Sequence, residues 1–251
     1  NELTKEELIK IFIDEFNVSK ERKLMLDGER YYKVENDILN RKMLRYEDGR
    51  WVEDETKANN RLTHGFMRNL VDDKVNYLLL KPLAMTCEDE KYLKAVKQTL
   101  GKRFQKRLAQ LGYEASNKGI AWLHPYINSA GEFKTMRIPS EQCIPIWTDN
   151  DHEELEAFIR YYDVETYEGK EKRIVTKIEY HTADGVEYYE MTGDGEVILD
   201  AEKYLEVKGE GTLLPHFTVD GEPGTWGKVP FIPFKNNDME LPDLQFVKTL
   251  I

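Results

Sequence analysis

Little in this 251-residue chain is suited to covalent or redox chemistry. Its two cysteines, Cys87 and Cys143, stand far apart, and neither has a second metal-type ligand close in sequence. Isolated thiols of this kind fit a buried or free state in a reducing compartment better than a disulfide framework. The longest apolar runs, such as Tyr77–Leu80, are far too short to cross a bilayer. The polar opening Asn1–Glu7 lacks the charged-then-apolar pattern of a signal peptide, so the sequon Asn17-Val18-Ser19 reads as a chance match. A phosphate-cradling loop is missing, because Gly209-Glu210-Gly211 has neither a third glycine nor a strand–loop–helix setting. There is no Gly-x-Ser-x-Gly elbow and no activated cysteine setting. None of His64, His124, His152, His181 and His216 has a second His or Cys at three- or four-residue spacing. That pattern favours structural or surface histidines over metal ligands or catalysts. No cofactor and no enzymatic activity are expected.

What is present describes a globular chain that can bury a sizeable core, with 40% hydrophobic and 33% charged residues. The net charge of −11 is unevenly shared. Residues 1–110 carry 23 basic and 20 acidic side chains, a net of +3, whereas residues 111–251 carry 13 and 27, a net of −14. The acidic half repels phosphate and argues against a surface that grips nucleic acid.

The first half reads as helices. Thr4 and Glu7 form a capping box ahead of an apolar face of Leu8, Ile9, Phe12, Ile13 and Phe16. Ser19 caps a second helix carrying Leu24, Tyr31, Val34 and Ile38, and the polar stretch from about 45 to 57 reads as an extended loop or a small hairpin around Asp48-Gly49. A long amphipathic helix is predicted from about Asn60, bearing His64 and stopped by Pro82. Another is predicted from Glu90 to Leu111, with Tyr92, Leu93, Val96, Leu100, Phe104 and Leu108 facing inward and Gly112 as its stop. Beyond Gly119 the period changes to two. Strands are predicted at Ile120–Ile127, Phe133–Ile138, Cys143–Trp147 and Leu155–Tyr162, then two hairpins turning at Asp184-Gly185 and Asp194-Gly195. Residues 207–228 read as a loop that returns through Val229–Phe234 to a helix beginning at Pro242. Helices first and strands afterwards predict an α+β fold with a mainly antiparallel β region. The expected division is 1–111 helical, 112–240 β-rich and 241–251 the start of a helix.

Four clusters are candidates for chemistry. Asp149-Asn150-Asp151-His152-Glu153-Glu154 resembles the start of a calcium loop, yet the sixth position is Glu154 where a glycine is needed and the twelfth is Arg160 where a bidentate Glu is needed. A solvated turn between strands is the favoured reading. Asp72 and Asp73 are adjacent on a helix and so point to different sides of it. Lys102, Arg103, Lys106 and Arg107 form a basic stripe, either a solvated helix face or a contact with DNA or an acidic partner. The 14 Tyr, 10 Phe and 4 Trp suit core packing, with a subset available to a protein interface. A metal-dependent hydrolase or nuclease using Asp149/Asp151 or Asp72/Asp73, and an aromatic-rich binding module, are the alternative readings.

The ordered series of segments decides between them. Tyr31-Tyr32-Lys33-Val34-Glu35-Asn36-Asp37-Ile38 is followed by Thr56-Lys57-Ala58-Asn59-Asn60-Arg61 with the helix Leu62–Tyr77 and Lys81-Pro82. Then come Asn117-Lys118-Gly119-Ile120-Ala121-Trp122-Leu123-His124-Pro125-Tyr126, Gly131-Glu132-Phe133, Pro139–Ile146, Arg160-Tyr161-Tyr162 and Trp226–Asn237. This series resembles the N-terminal part of portal proteins from long-tailed bacteriophages of Gram-positive hosts. The resemblance implies a structural subunit of a twelve-fold ring at the portal vertex of the virion, assembled in the host cytoplasm. Double-stranded DNA passes through such a ring without sequence-specific binding during packaging and ejection. Terminase, scaffold, capsid and head–tail connector proteins are the implied partners. The chain is similar to the wing of that subunit, with Pro242–Ile251 leading into the first stem helix, so it is expected to be a fragment and monomeric by itself. A head-to-tail ring needs two different complementary faces, and the opposite charge bias of the two halves suits them. Lys102, Arg103, Lys106 and Arg107 are the candidate subunit-interface residues.

Overall fold

The computed structural model describes residues 3–169, 171–205 and 211–250. Helix α1 (Lys5–Val18) starts at the expected capping box: Glu7 N donates to Thr4 Oγ1 at 3.2 Å, and Thr4 N to Glu7 Oε2 at 2.8 Å. Ser19 stays in extended conformation, closes α1 and caps α2 (Lys20–Tyr32) by accepting from Arg22 N at 3.1 Å. Val34 and Ile38 lie past the end of α2, Val34 at a positive φ and Ile38 in a short 3-10 turn, Asp37–Asn40. The Asp48-Gly49 hairpin forms between β1 (Leu44–Glu47) and β2 (Arg50–Glu53).

The helices that follow depart from the sequence reading in two places. Helix α3 spans Phe66–Leu79, not 60–82, and its N-cap is Gly65, which leaves His64 outside. Asparagine competes with helix by bonding backbone locally, and Asn59 Nδ2 donates to Arg41 O at 2.8 Å instead of entering the helix. The single helix expected over 90–111 is two helices, α4 (Glu90–Leu100) and α5 (Phe104–Lys118). Gly101 makes the break at φ +72°, a conformation costly for any residue with a Cβ. Gly112 does not stop α5; it lies within it, where its bare face receives Val75 and Leu79 of α3. The stop is Gly119, at φ +88° and packed so closely on the Glu240 carbonyl that a Cβ would overlap it. Nor do the apolar residues of α4 face a core: no residue of α4 is buried, and Tyr92 is 63% exposed.

The β region follows the predicted order. Strands β3 (Ile120–Ile127) and β4 (Phe133–Ile138) form a hairpin; β5 (Cys143–Trp147), β6 (Leu155–Glu168), β7 (Glu171–His181), β8 (Val186–Met191) and β9 (Val197–Leu199) form an antiparallel meander in that order. A short helix α6 (Ala201–Tyr204) follows. Part of the 207–228 stretch read as a loop is a hairpin of β10 (Phe217–Val219) and β11 (Glu222–Gly224), turning at Asp220-Gly221, both at positive φ; residues 206–210 lie outside the described residues. Strand β12 (Ile232–Lys235) then pairs with β3, completing the sheet β12-β3-β4, and α7 (Leu244–Val247) is a single turn around the fully buried Leu244.

Packing joins helices and sheets. Ile9 and Ile13 of α1 sit on Ile144, Ile159, Ile178 and Tyr189 of the meander. Met25 of α2 joins Trp122, Phe158 and Phe231, which bridge the two sheets. A third cluster joins Tyr31, Met67, Val71, Val75, Ala109 and Leu244. Leu111 and Ala115 of α5 pack on Ala121 and Leu123 of β3, so α5 runs antiparallel along that strand.

The end of α5 carries the densest charge in the interior. Lys118, 4% exposed, places its Nζ 3.0 Å from Glu29, 3.1 Å from Glu114 and 2.5 Å from Glu141. Glu114 is also held by Arg137 of β4 and by Ser140 N at 2.9 Å. Burial opposes the ammonium charge, but Glu114, Glu141 and Glu29 outweigh it and raise the Lys118 pKa. Burial likewise opposes the charge of Glu29, and the bonds from Lys33 and Lys118 bring its pKa down to about 2. Replacing Lys118 with Met should cost about 3–5 kcal/mol, because three carboxylates lose their shared cation in a place water reaches poorly. A urea unfolding midpoint reads this, with the exposed Lys91→Met as a control expected within about 0.5 kcal/mol of wild type.

Candidate interaction surfaces

Lys102, Arg103, Lys106 and Arg107 lie together at the corner where α4 meets α5, the first three exposed and Arg107 partly covered. Lys102, Arg103 and Arg107 line a cavity of about 530 Å³ with Tyr126 and Phe133, the residues at the hairpin end of β3 and β4. The structure adds three cations that the sequence reading left out, the exposed Lys91, Lys94 and Lys97 of α4. The signal was available, since residues 91–113 hold seven basic side chains and no acidic one. Among the described residues none of the seven forms an ion pair, while most cations elsewhere do. Beside them Leu93, Val96 and Leu100 are only half-covered and Tyr92 stands open, so the corner joins positive charge to unpartnered apolar surface.

A second charged feature lies at the other end of β3. The loop between β5 and β6 carries Asp149, Asp151, Glu153 and Glu154, and the start of β6 adds Glu156, with no Lys or Arg among them. Asp149 accepts from Glu153 N at 3.1 Å and Glu154 N at 3.0 Å, and these backbone bonds lower its pKa. The loop is therefore an ordered turn of the kind the sequence reading favoured. It is anchored by His152, whose ring stacks on Trp147 at 4.8 Å and whose Nδ1 lies 2.9 Å from Glu240 Oε1. Lys235, opposite Ile120 in the sheet, reaches the Asp151 carbonyl at 3.2 Å.

The other candidate carboxylates do not converge. Asp72 accepts from Tyr32 Oη at 2.8 Å, and burial with that neighbouring carboxylate pushes the tyrosine up to about 12. Asp73 is exposed on another side of α3. Among the described residues no three His, Cys, Asp or Glu side chains stand close enough to hold a metal ion. Cys143 is buried and Cys87 exposed, and both are free thiols.

Three histidines with no sequence relation do come together. His124 lies 5.6 Å from His181, whose ring stacks parallel to His216 at 6.2 Å, and His124 stacks on Phe231 at 4.6 Å. The His124 Nδ1–H donates to the Pro230 carbonyl at 2.7 Å. Burial, outweighing that bond, brings the His124 pKa down to about 4, and burial also lowers that of His216. Glu179 closes the cluster, held by Arg160, Tyr162 and His181; burial opposes its charge, but these partners bring its pKa to about 2.

The described residues thus present two surface clusters of opposite charge, at the two ends of β3. The sequence profile described as "Phage portal protein, SPP1 Gp6-like" matches residues 12–251. The chain belongs to this family of phage portal proteins. It is similar to the portal protein of Bacillus phage SPP1, 35% identical over 245 residues, which is 97% of this chain and 46% of that protein. Similarity to the portal protein of Clostridium phage phiCD119 is 32% over 241 residues, 92% of this chain and 49% of that protein. The chain thus spans about half the length of the curated relatives it matches.

The histidine cluster makes this portal-family fold acid-sensitive. With the folded pKa of His124 near 4 and the unfolded value near 6.5, the unfolded chain takes up a proton first as pH falls. Stability is then full above pH 6.5 and declines between 6.5 and 4, whereas Glu29 and Glu179 act lower, from 4.5 down to about 2. Urea unfolding should show wild type losing about 2 kcal/mol more than His124→Phe between pH 7 and 4.5. Equal slopes for the two proteins would contradict the assignment.

Proposed function

We propose that this chain is the wing part of a structural subunit of a phage portal ring. In this reading, residues 1–111 and 112–240 are the helical and β-rich parts of the wing, and 241–251 turn toward the stem. The observation that carries it is the match to the family over residues 12–251, shared with two portal proteins. Twelve subunits would close around double-stranded DNA at one vertex of the capsid and pass it inward during packaging and outward on ejection. Assembly would take place in the host cytoplasm, with terminase, scaffold, capsid and head–tail connector proteins as partners. The role is mechanical and not enzymatic.

The charge distribution supports a conduit. A ring that lets a duplex slide must not hold it, and clustered cations along its path would act as a salt-sensitive brake. Here the net charge is −11, and one corner gathers seven of the cations that form no ion pair among the described residues. The shared cores support a body that keeps its shape under load, since α1, α2 and α5 each pack on a sheet. No helix among the described residues is long and apolar enough to cross a membrane.

Negative-stain microscopy of the full-length parent protein tests this reading. Rings of twelve with a central hole are expected. Dispersed monomers at concentrations at which wild-type protein is folded would overturn it.

A further inference from the structure

We propose that the cationic corner between α4 and α5 receives the β5–β6 loop of a second copy of this chain. This rests on the ring reading and adds where neighbouring copies touch.

The first argument is that two complementary clusters are left over. Seven cations on 91–107 and five carboxylates on 149–156 form no ion pair with Lys, Arg, Asp or Glu of their own copy among the described residues. The buried Lys118 and the half-buried Lys177 are closely paired, whereas exposed cations such as Lys20, Lys23 and Lys228 also stand without an ion pair. What distinguishes these two sets is that each gathers one sign in one place. An unpaired cluster of each sign on one molecule is the pattern expected when each is met by another molecule.

The second argument is spatial. The corner lies at the N-terminal end of α5, against Tyr126 and Phe133. The acidic loop lies past the C-terminal end of α5, beside Ile120, through Lys235 and the contact of Trp147 with Trp122 at 5.9 Å. Fifteen residues of helix separate them. At 1.5 Å per residue that is roughly 20 Å, more than two screening lengths at physiological salt. The clusters cannot neutralise each other within one copy.

The third argument concerns symmetry. Unlike patches at opposite ends of a molecule can meet reciprocally in an antiparallel two-fold pair or successively in a head-to-tail series, and the ring reading requires the second. A head-to-tail contact closes into a ring when the rotation between copies allows. The apolar flank of α4 completes the surface, because Leu93, Val96 and Tyr92 find no full cover within their own copy. Charge then sets the register of the contact, and that flank supplies area to exclude water.

The test uses the full-length parent protein in three forms. One carries Lys102→Glu, Arg103→Glu and Lys106→Glu, the second Asp151→Lys, Glu153→Lys and Glu154→Lys, and the third all six. Circular dichroism and urea midpoints check that each is folded. Light scattering should show each triple variant associating at least about tenfold more weakly than wild type, and the six-fold variant recovering most of that loss. Wild-type association should also weaken as NaCl rises, a readout that needs no variant. If wild type forms no ring, the ring reading itself fails. If wild type forms rings and neither triple variant weakens them, the ring reading stands and this docking proposal is overturned. Loss without recovery in the six-fold variant overturns the pairing of the two clusters. A labelled DNA duplex that binds wild type and not the corner variant, with rings unchanged, assigns the corner to nucleic acid and overturns the proposal as well.

Discussion

One buried ammonium group ties α2, α5 and the turn before β5 to one another. Lys118 is the last residue of α5, and its Nζ gathers Glu29 from α2, Glu114 from α5 and Glu141 from the turn before β5. The chain can reverse into β3 immediately afterwards because Gly119 takes a left-handed conformation against the Glu240 carbonyl. That reversal lays α5 along β3, brings β12 to the opposite edge of β3 and sets the two charged clusters at the two ends of one strand. An ion cluster of this kind adds less net stability than its close contacts suggest, because four charges lose water together. Its larger effect is on specificity: few arrangements of α2, α5 and the 139–142 segment satisfy all of them.

Much of the architecture was legible from local chemistry. The capping box at Thr4, the cap of α2 at Ser19, the Asp-Gly turns and the order of β3–β9 depend on neighbours within a few residues and appear where the pattern places them, although β6 continues to Glu168, past the expected end at Tyr162. The errors arise where tertiary packing decides. Gly101 and Gly112 look alike in sequence, yet one breaks a helix and the other gives α3 a flat place to lie. The apolar stripe of α4 has the period of a core-facing helix but packs on no core. Periodicity reports that a face needs cover, not whether its own chain supplies it.

The same division holds for the interaction surfaces. Lys102, Arg103, Lys106 and Arg107 stood out by spacing, whereas Lys91, Lys94 and Lys97 emerge when one counts the carboxylates that are missing. The acidic turn was legible as a turn, but its place at the far end of α5 depends on the pairing of β12 with β3. The histidine cluster had no local signal, since Pro230, Phe231, His124, His181 and Glu179 converge from two separate strands and a loop.

The length of α5 has one more consequence. Each residue of an α-helix advances the chain by about 1.5 Å and also turns it by about 100°. A one-residue insertion or deletion inside α5 would barely alter the distance between the corner and the acidic loop, but it would swing one around the helix axis relative to the other by more than a quarter turn. The 15 residues from Phe104 to Lys118 therefore set a phase as well as a span. In any assembly built by repeating one contact, that phase enters the angle between successive copies.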